Sequence, residues 1–300
     1  MEEIRERDVP VVLKKSDKGK PQKEITSTSE KVLRAIAYVL LTVGAVTMLI
    51  PFIWMVMTSL KSPGEAVAMP PVWWPSILRF ENYARAFEVA PFGRYFLNSV
   101  LITSVSTIGE LISTILAAFA FSRLKFYGKN ILFTILIATM MVPSELLIIP
   151  NYLTLSNLGL INTYAAMILP YLASVFSVFM LKQNFESVPN ELYYAAKVDG
   201  SSDWNFLWTI MVPLSKSAIV AVTILKIIGS WNAFLWPLIV TNDRLLRPLP
   251  VGLQAFTTEA GTQFELLMAA STIVVAPMVI IYLFLQRYII MGISKSGIKG

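Results

Sequence analysis

Six windows of the chain are apolar for long enough to cross a hydrocarbon core about 30 Å thick, which takes roughly 20 largely apolar helical residues. Ala35–Leu60, Asn162–Leu181 and Leu266–Gln286 contain no charged residue, while Tyr95–Ser122 contains only Glu110, Ile131–Tyr152 only Glu145 and Ser217–Thr241 only Lys226. In lipid a backbone must satisfy its own polar groups, so windows of this length read as helices. The expected fold is an all-α polytopic membrane protein with six transmembrane helices, at about residues 35–60, 95–122, 131–152, 162–181, 217–241 and 266–286. The first window exceeds the roughly 7–15 apolar residues of a signal-peptide core and follows a long charged stretch, so it reads as a span.

Composition agrees with this and narrows the function. Only 15 % of the 300 residues are charged, against about 25 % in an ordinary soluble domain. Sixteen of the 44 charged side chains lie in the first 34 residues, so the remainder is more apolar still. Residues 1–31 mix charge with Pro, Ser, Thr and Gly and lack apolar periodicity, which reads as a disordered cytosolic tail ahead of a membrane domain at 32–300. Histidine and cysteine are both absent. That excludes an imidazole general base, a Ser-His-Asp triad, an HExxH zinc site, a thiolate nucleophile and a disulfide framework. Gly19-Lys20 lacks the upstream glycine and the following Ser or Thr of a P-loop, so no ATP hydrolysis, metal or cofactor is expected on this chain, and no nucleic-acid partner.

Six spans put both ends on one side. Eighteen lysines and arginines fall on the side of the termini and six on the other, which makes both termini cytoplasmic in a prokaryotic cell membrane. On the outer side, Pro70-Pro71-Val72-Trp73-Trp74-Pro75 suits the lipid–water interface, with direct ligand contact as the alternative.

Charges inside spans are costly and therefore informative. Glu110 and Lys226 lie near mid-span, where pairing would offset both desolvation costs; contact with a substrate in the pathway is the other reading. Gly229, Asn232 and Trp236 fall at i, i+3 and i+7, so one helix face would offer an amide and a flat ring to a sugar. Helix packing through Gly229, with Asn232 bonding a neighbouring span, fits the same residues equally well.

The loop 184–213, between spans four and five, is patterned rather than a mere connector. Pro189 can open a helix and Gly200 can end it. On that helix Leu192, Ala195, Ala196 and Asp199 form a narrow face of small and apolar groups. Ser201, Ser202 or Asp203 can cap a second helix carrying Trp204, Leu207, Trp208 and Met211 at the same spacing before Pro213.

These residues resemble the permease subunits of binding-protein-dependent ABC importers, in particular the second permease of maltose-type carbohydrate uptake systems. That family's loop reads approximately EAA, three residues, Gly, nine residues and Ile-x-Leu-Pro. Here it is Tyr194-Ala195-Ala196, Gly200 and Ile210-Met211-Val212-Pro213, with the spacing kept and Tyr194 in place of the glutamate; Glu191 supplies an acid one turn earlier. Asn98-Ser99, Ile149-Pro150, Trp231-Asn232-Ala233-Phe234-Leu235-Trp236-Pro237-Leu238, Gln286-Arg287-Tyr288 and Lys299-Gly300 extend the resemblance over about residues 32–300.

The resemblance implies a carbohydrate permease working by alternating access. Its cytoplasmic coupling helix, with Glu191, Leu192, Ala195, Ala196, Asp199 and Gly200, would dock in a separate ATPase. An amphipathic helix lying on lipid is the rival reading. The implied partners are a homologous second permease, two ATPase subunits that carry ATP and Mg, membrane lipid and an extracytoplasmic binding protein. The loop Asn242–Glu265 resembles the segment that reaches into that binding protein, through Gln254, Thr258, Glu259 and Gly261. Two alternatives stand beside it: a permease for a glycerophosphodiester or phosphorylated polyol, whose anion Lys226 would complement, and an integral-membrane enzyme.

Overall fold

The computed structural model describes residues 28–258 and 261–294. The chain divides into two units, up to Phe52 and from Ile53 onward. The described part of the first is most of helix α1 (Thr28–Ser59), which from Ala35 onward is apolar on every face and exposes Tyr38, Leu41 and Met48 among others. A helix of that kind is stable in lipid or against another membrane helix. The expected 1–31 tail lies largely outside the described residues.

The second unit is organised along one long helix. After α2 (Glu81–Val89), α3 (Phe92–Ser122) runs unbroken through it. α3 packs most extensively against α7 (Val175–Glu186) and α10 (Lys216–Trp231). Three buried clusters divide its length. Phe92 and Tyr95 sit with Trp231, Leu249, Phe256 and Leu266 at one end. Ile102 packs with Ala166, Met167 and Trp236. Ile115, Ala118 and Phe119 join Leu181, Phe185 and Phe206 at the other end. Away from these contacts, Leu97, Leu101, Val105, Ile108, Ile112 and Leu116 form an exposed apolar stripe of the sort that meets lipid or another membrane helix.

Among the described residues three unbroken helices are long and apolar enough to cross a membrane: α1, α3 and the stretch of α12 (Phe264–Ser294) up to Phe284. The other expected spans are bent pairs, which makes the count of six approximate. The window at 131–152 is not one helix. α4 (Lys129–Thr139) and the segment 144–157, containing α5 (Ile148–Asn157), meet at 94°. Pro143 lies at the break; it lacks an N–H, and its extended ψ of 133° takes the chain out of the helix. α6 (Tyr164–Ile168) and its continuation through Tyr171 meet α7 at 41°, just after Pro170. The window at 217–241 is interrupted as well: α10 ends at Trp231 and α11 (Leu235–Val240) begins beyond a gap.

The loop 184–213 folds as its sequence predicts, into α8 (Asn190–Val198), a glycine turn and α9 (Asp203–Phe206). Ser202 caps α9 by accepting from the Asn205 N–H. A π-helical segment, Leu207–Met211, follows, and the chain then turns by 80° into α10.

Candidate functional site

The candidate residues of the sequence fall into three groups. The first lies around α8. Gly200 adopts φ +78°, the left-handed backbone that glycine tolerates without a Cβ penalty, and the Ser201 N–H closes the turn on the Ala196 carbonyl at 2.8 Å. The turn is braced from both sides. Lys197 Nζ and the Tyr193 hydroxyl both donate to Asp203 Oδ1, at 2.8 and 2.6 Å. Burial, then the bond to Asp203, pushes the Tyr193 phenol up to about 12. Asp203 is held below the usual carboxylate range, first by Lys197 and then by Tyr193.

The exposed face of α8 differs from the expected one. Glu191, Leu192, Ala195 and Asp199 are exposed, but Ala196 is buried and belongs to the Phe185–Phe206 cluster. Tyr193 and Ala196, three apart, turn α8 inward, and the small Ala196 lets it lie close to that cluster. Tyr194 and Val198 join Leu192 on the outside instead. The stripe expected on the following helix separates in the same way: Leu207 and Met211 are buried, while Trp204 and Trp208 face out.

Arg123, one of the eighteen lysines and arginines on the side of the termini, holds this loop to α3. It is 9 % exposed and donates to the carbonyls of Phe185 and Val188 and to Asn190 Oδ1. One guanidinium thus closes the end of α7 and fixes the start of α8 on the helix that runs through the whole unit. The signal available in the sequence was an arginine immediately after a span, a position equally suited to a free topological charge.

The second group lies between the helices. Glu110 of α3 and Lys226 of α10 form an ion pair of 2.8 Å, with side chains 6 % and 12 % exposed. Ser177 of α7 donates to the other carboxylate oxygen at 2.7 Å, and Lys226 also donates to the Tyr171 carbonyl at 2.9 Å. Pairing, the structural alternative for these charges, is what the chain contains. Around it α3 buries Thr103, Ser106, Thr107 and Thr114; the Thr103, Thr107 and Thr114 hydroxyls have no partner among the described residues, and Ser106 lies 3.2 Å from Ser230 across the α10 contact. Periodicity alone could have found this polar row, since its members recur at three and four residues along α3.

The face expected from Gly229, Asn232 and Trp236 does not form. The helix ends at Trp231, so Trp236 belongs to α11, where it is buried and donates to the Ala166 carbonyl at 3.0 Å. Asn232 is exposed and returns its amide to the Ile228 carbonyl at 3.0 Å. Gly229 is exposed, and among the described residues no atom stands near the position of a Cβ, so it mediates no close packing with them.

The third group is the loop from residue 242. Asn98 and Ser99 organise its beginning. Asn98 Nδ2 donates to the Leu245 and Arg247 carbonyls at 2.8 and 2.9 Å, its Oδ1 accepts from Tyr164, and Ser99 Oγ accepts from the Leu249 N–H. Asn162, with φ +63°, accepts both the Asn242 and Asp243 N–H groups on one oxygen. Beyond them a two-residue antiparallel pair, β1 (Thr257–Thr258) and β2 (Gly261–Thr262), projects an exposed hairpin. Gln254 and Thr258 are exposed, Gly261 sits at φ +123°, and Glu259 lies outside the described residues. No metal-binding group of three His, Cys, Asp or Glu occurs among the described residues.

Over residues 109–295 the chain matches the family described as binding-protein-dependent transport system inner membrane component. The diacetylchitobiose uptake system permease protein NgcG of Streptomyces coelicolor is 33 % identical over 277 residues, covering 91 % of each chain. The arabinooligosaccharides transport system permease protein AraQ of Halalkalibacterium halodurans is 32 % identical over 268 residues, covering 87 % of this chain and 96 % of that one. Among solved structures, a bacterial ABC transporter involved in the import of the acidic polysaccharide alginate has a chain that superimposes with a TM-score of 0.77 over 87 % of this chain and 98 % of that one; at 24 % identity it establishes a shared fold.

Proposed function

Because the chain belongs to the family of binding-protein-dependent transport system inner membrane components, we propose that it is the permease subunit of an ABC importer that carries a sugar or oligosaccharide into the cytoplasm by alternating access. The observation that carries the reading is the braced elbow at Gly200. α8 presents Leu192, Tyr194, Ala195 and Val198 outward, on a loop that Arg123 holds to α3. Such a face suits a cleft of an ATPase, and a rigid mount would pass nucleotide-driven movement to α3, α7 and α10. Glu191, Asp199 and Gly200 complete that face, whereas Ala196 supports it from behind.

The names of the relatives favour a carbohydrate. The assembly then comprises this chain, a homologous second permease, two ATPase subunits that bind ATP and Mg, and an extracytoplasmic binding protein that meets the hairpin through Gln254, Thr258, Glu259 and Gly261. No cofactor belongs to this chain. The exposed stripe on α3 and the bare Gly229 suit lipid and the second permease. Glu110 and Lys226, bonded to each other, hold the pathway's walls together, and Asn232 stands exposed for the solute. Both termini and the loop 184–213 face the cytoplasm.

The test is uptake in proteoliposomes holding the whole assembly. Diacetylchitobiose and an arabino-oligosaccharide, offered with the binding protein, should accumulate with ATP and not with a non-hydrolysable analogue. Uptake that is equal under both conditions would sink the importer reading. A single cysteine at Ser202 should react with a membrane-impermeant label only after sealed cells are opened.

A further inference from the structure

On the loop that follows α11, Arg244, Arg247, Gln254, Ala255 and Thr257 line an open cavity of about 440 Å³. Its chemistry is one-sided. Among the described residues the ion pairs are Arg79–Glu81, Lys182–Glu186, Lys197–Asp203 and Lys226–Glu110, so neither arginine of the cavity has a carboxylate. Among the described residues Arg247 Nε is buried without a hydrogen-bond partner, and the Arg244 guanidinium makes a single 3.5 Å contact, to the Val89 carbonyl. The neighbouring Asp243 carboxylate is engaged in capping the Leu245 N–H at 2.8 Å. A third cation, Arg94, lies against the same segment through the Leu245 carbonyl. The backbone here is held from below by Asn98 and Ser99, which gives the two guanidinium groups a fixed base. Buried donors left unpaired cost free energy, and guanidinium pairs are geometrically matched to carboxylates.

We infer that this cavity is a socket for a carboxylate side chain of the docked binding protein. The inference rests on the importer reading and adds the chemistry of the contact. Thr257 both lines the cavity and begins the exposed hairpin, so a protein seated on the hairpin would bring its surface over the arginines. The socket lies on a loop outside the spans and apart from the Glu110–Lys226 seam between the helices, which favours the receptor over the solute as the source of the acid. Gln254 and Thr257 supply polar groups at the wall, and the open mouth would let the seated acid be released when the receptor leaves.

The experiment uses the assembled importer in nanodiscs and reads ATP hydrolysis against the concentration of solute-loaded binding protein. The Arg244→Gln/Arg247→Gln variant should need about tenfold more binding protein for half-maximal stimulation, and Arg244→Lys/Arg247→Lys should fall between it and the parent. Binding protein whose surface carboxylates are amidated with glycinamide should lose the same factor on the parent and nothing further on the Gln variant. This arm needs only the Lys variant if the Gln variant does not assemble. Unchanged half-maximal concentrations, or equal losses from amidation on parent and variant, overturn the socket. So does a defect that appears with an anionic solute and vanishes with a neutral one, which would assign the carboxylate to the solute. A parental assembly that no binding protein stimulates would instead refute the importer reading itself.

Discussion

Glu110 and Lys226 meet at 2.8 Å between α3 and α10, and Ser177 of α7 takes up the carboxylate oxygen that Lys226 leaves free. Three helices therefore close on one ion pair. Taking either charge away leaves the other buried without its partner, a loss of about 3–5 kcal/mol, whereas removing both charges together leaves no such orphan. Glu110→Gln and Lys226→Met should each lower the yield of folded, membrane-inserted protein and its resistance to denaturant. The double variant should lose well less than the sum of the two single losses. Strictly additive losses would show that the pair is not energetically coupled.

Arg123 tests whether the loop 184–213 is mounted on α3. Lysine keeps the charge but loses the fork that serves the Phe185 and Val188 carbonyls and Asn190 together. Arg123→Lys should cost about 1–3 kcal/mol and loosen α8, seen as faster amide exchange at residues 190–198. If exchange there stays at the parental rate, the mount lies elsewhere.

At Gly200 the cost is set by the backbone alone, since no atom stands near the position of a Cβ and φ is +78°. Gly200→Val should destabilise the turn by about 1–2 kcal/mol, and Gly200→Asn by less, because asparagine visits the left-handed region more readily. Co-purification with the ATPase should follow that order while membrane abundance stays normal. Equal recovery of the ATPase with valine would separate the turn from coupling.

The brace around the same turn gives it a pH dependence of known sign. Asp203 is held below its ordinary 3.8, so its contribution is complete above that value and is lost as pH falls through the folded pKa. Tyr193 is raised from 10.0 to about 12, so its contribution is complete below 10 and is lost as pH rises toward 12. Protease sensitivity of residues 197–204 should be lowest between those limits and rise on either side. With Asp203→Ala the acid limb should vanish; its persistence would assign that limb to another group.

The unbroken spans and the Gly200 turn were legible because each depends on a local signal: a long apolar window with at most one charge, or a glycine between a helix opened by Pro189 and one capped by Ser202. The breaks were not, although Pro143, Pro170 and Pro237 stand in plain view. A hydropathy window averages across a kink, and the direction of the chain after Met141 or Trp231 depends on packing partners remote in sequence. The same limit explains the face assigned to Gly229, Asn232 and Trp236, which assumed a helix that continues past Trp231. Glu110 and Lys226 were legible as a pair because two charges in apolar spans leave few other ways to offset desolvation. Arg123 was not, because its three acceptors lie more than sixty residues away.

Two glycines separate packing within the chain from packing against a partner. A Cβ on Gly252 would run into the ring of Tyr95, which is buried in the cluster with Phe92 and Phe256. Gly252→Ala should therefore destabilise the isolated chain by about 1–3 kcal/mol. A Cβ on Gly229 meets nothing among the described residues, so Gly229→Leu should insert and fold at the parental level. Both Gly229→Leu and Asn232→Leu leave internal contacts nearly untouched, the asparagine losing only its bond to the Ile228 carbonyl. If Gly229 faces the second permease, its leucine variant should co-purify with less of that subunit and transport in proportion. If Asn232 faces the solute, its variant should assemble fully and transport less, losing the roughly 0.5–1.5 kcal/mol of one hydrogen bond. Full assembly and parental uptake by both variants would place this end of α10 against lipid, and Asn232 would then have no part in the pathway.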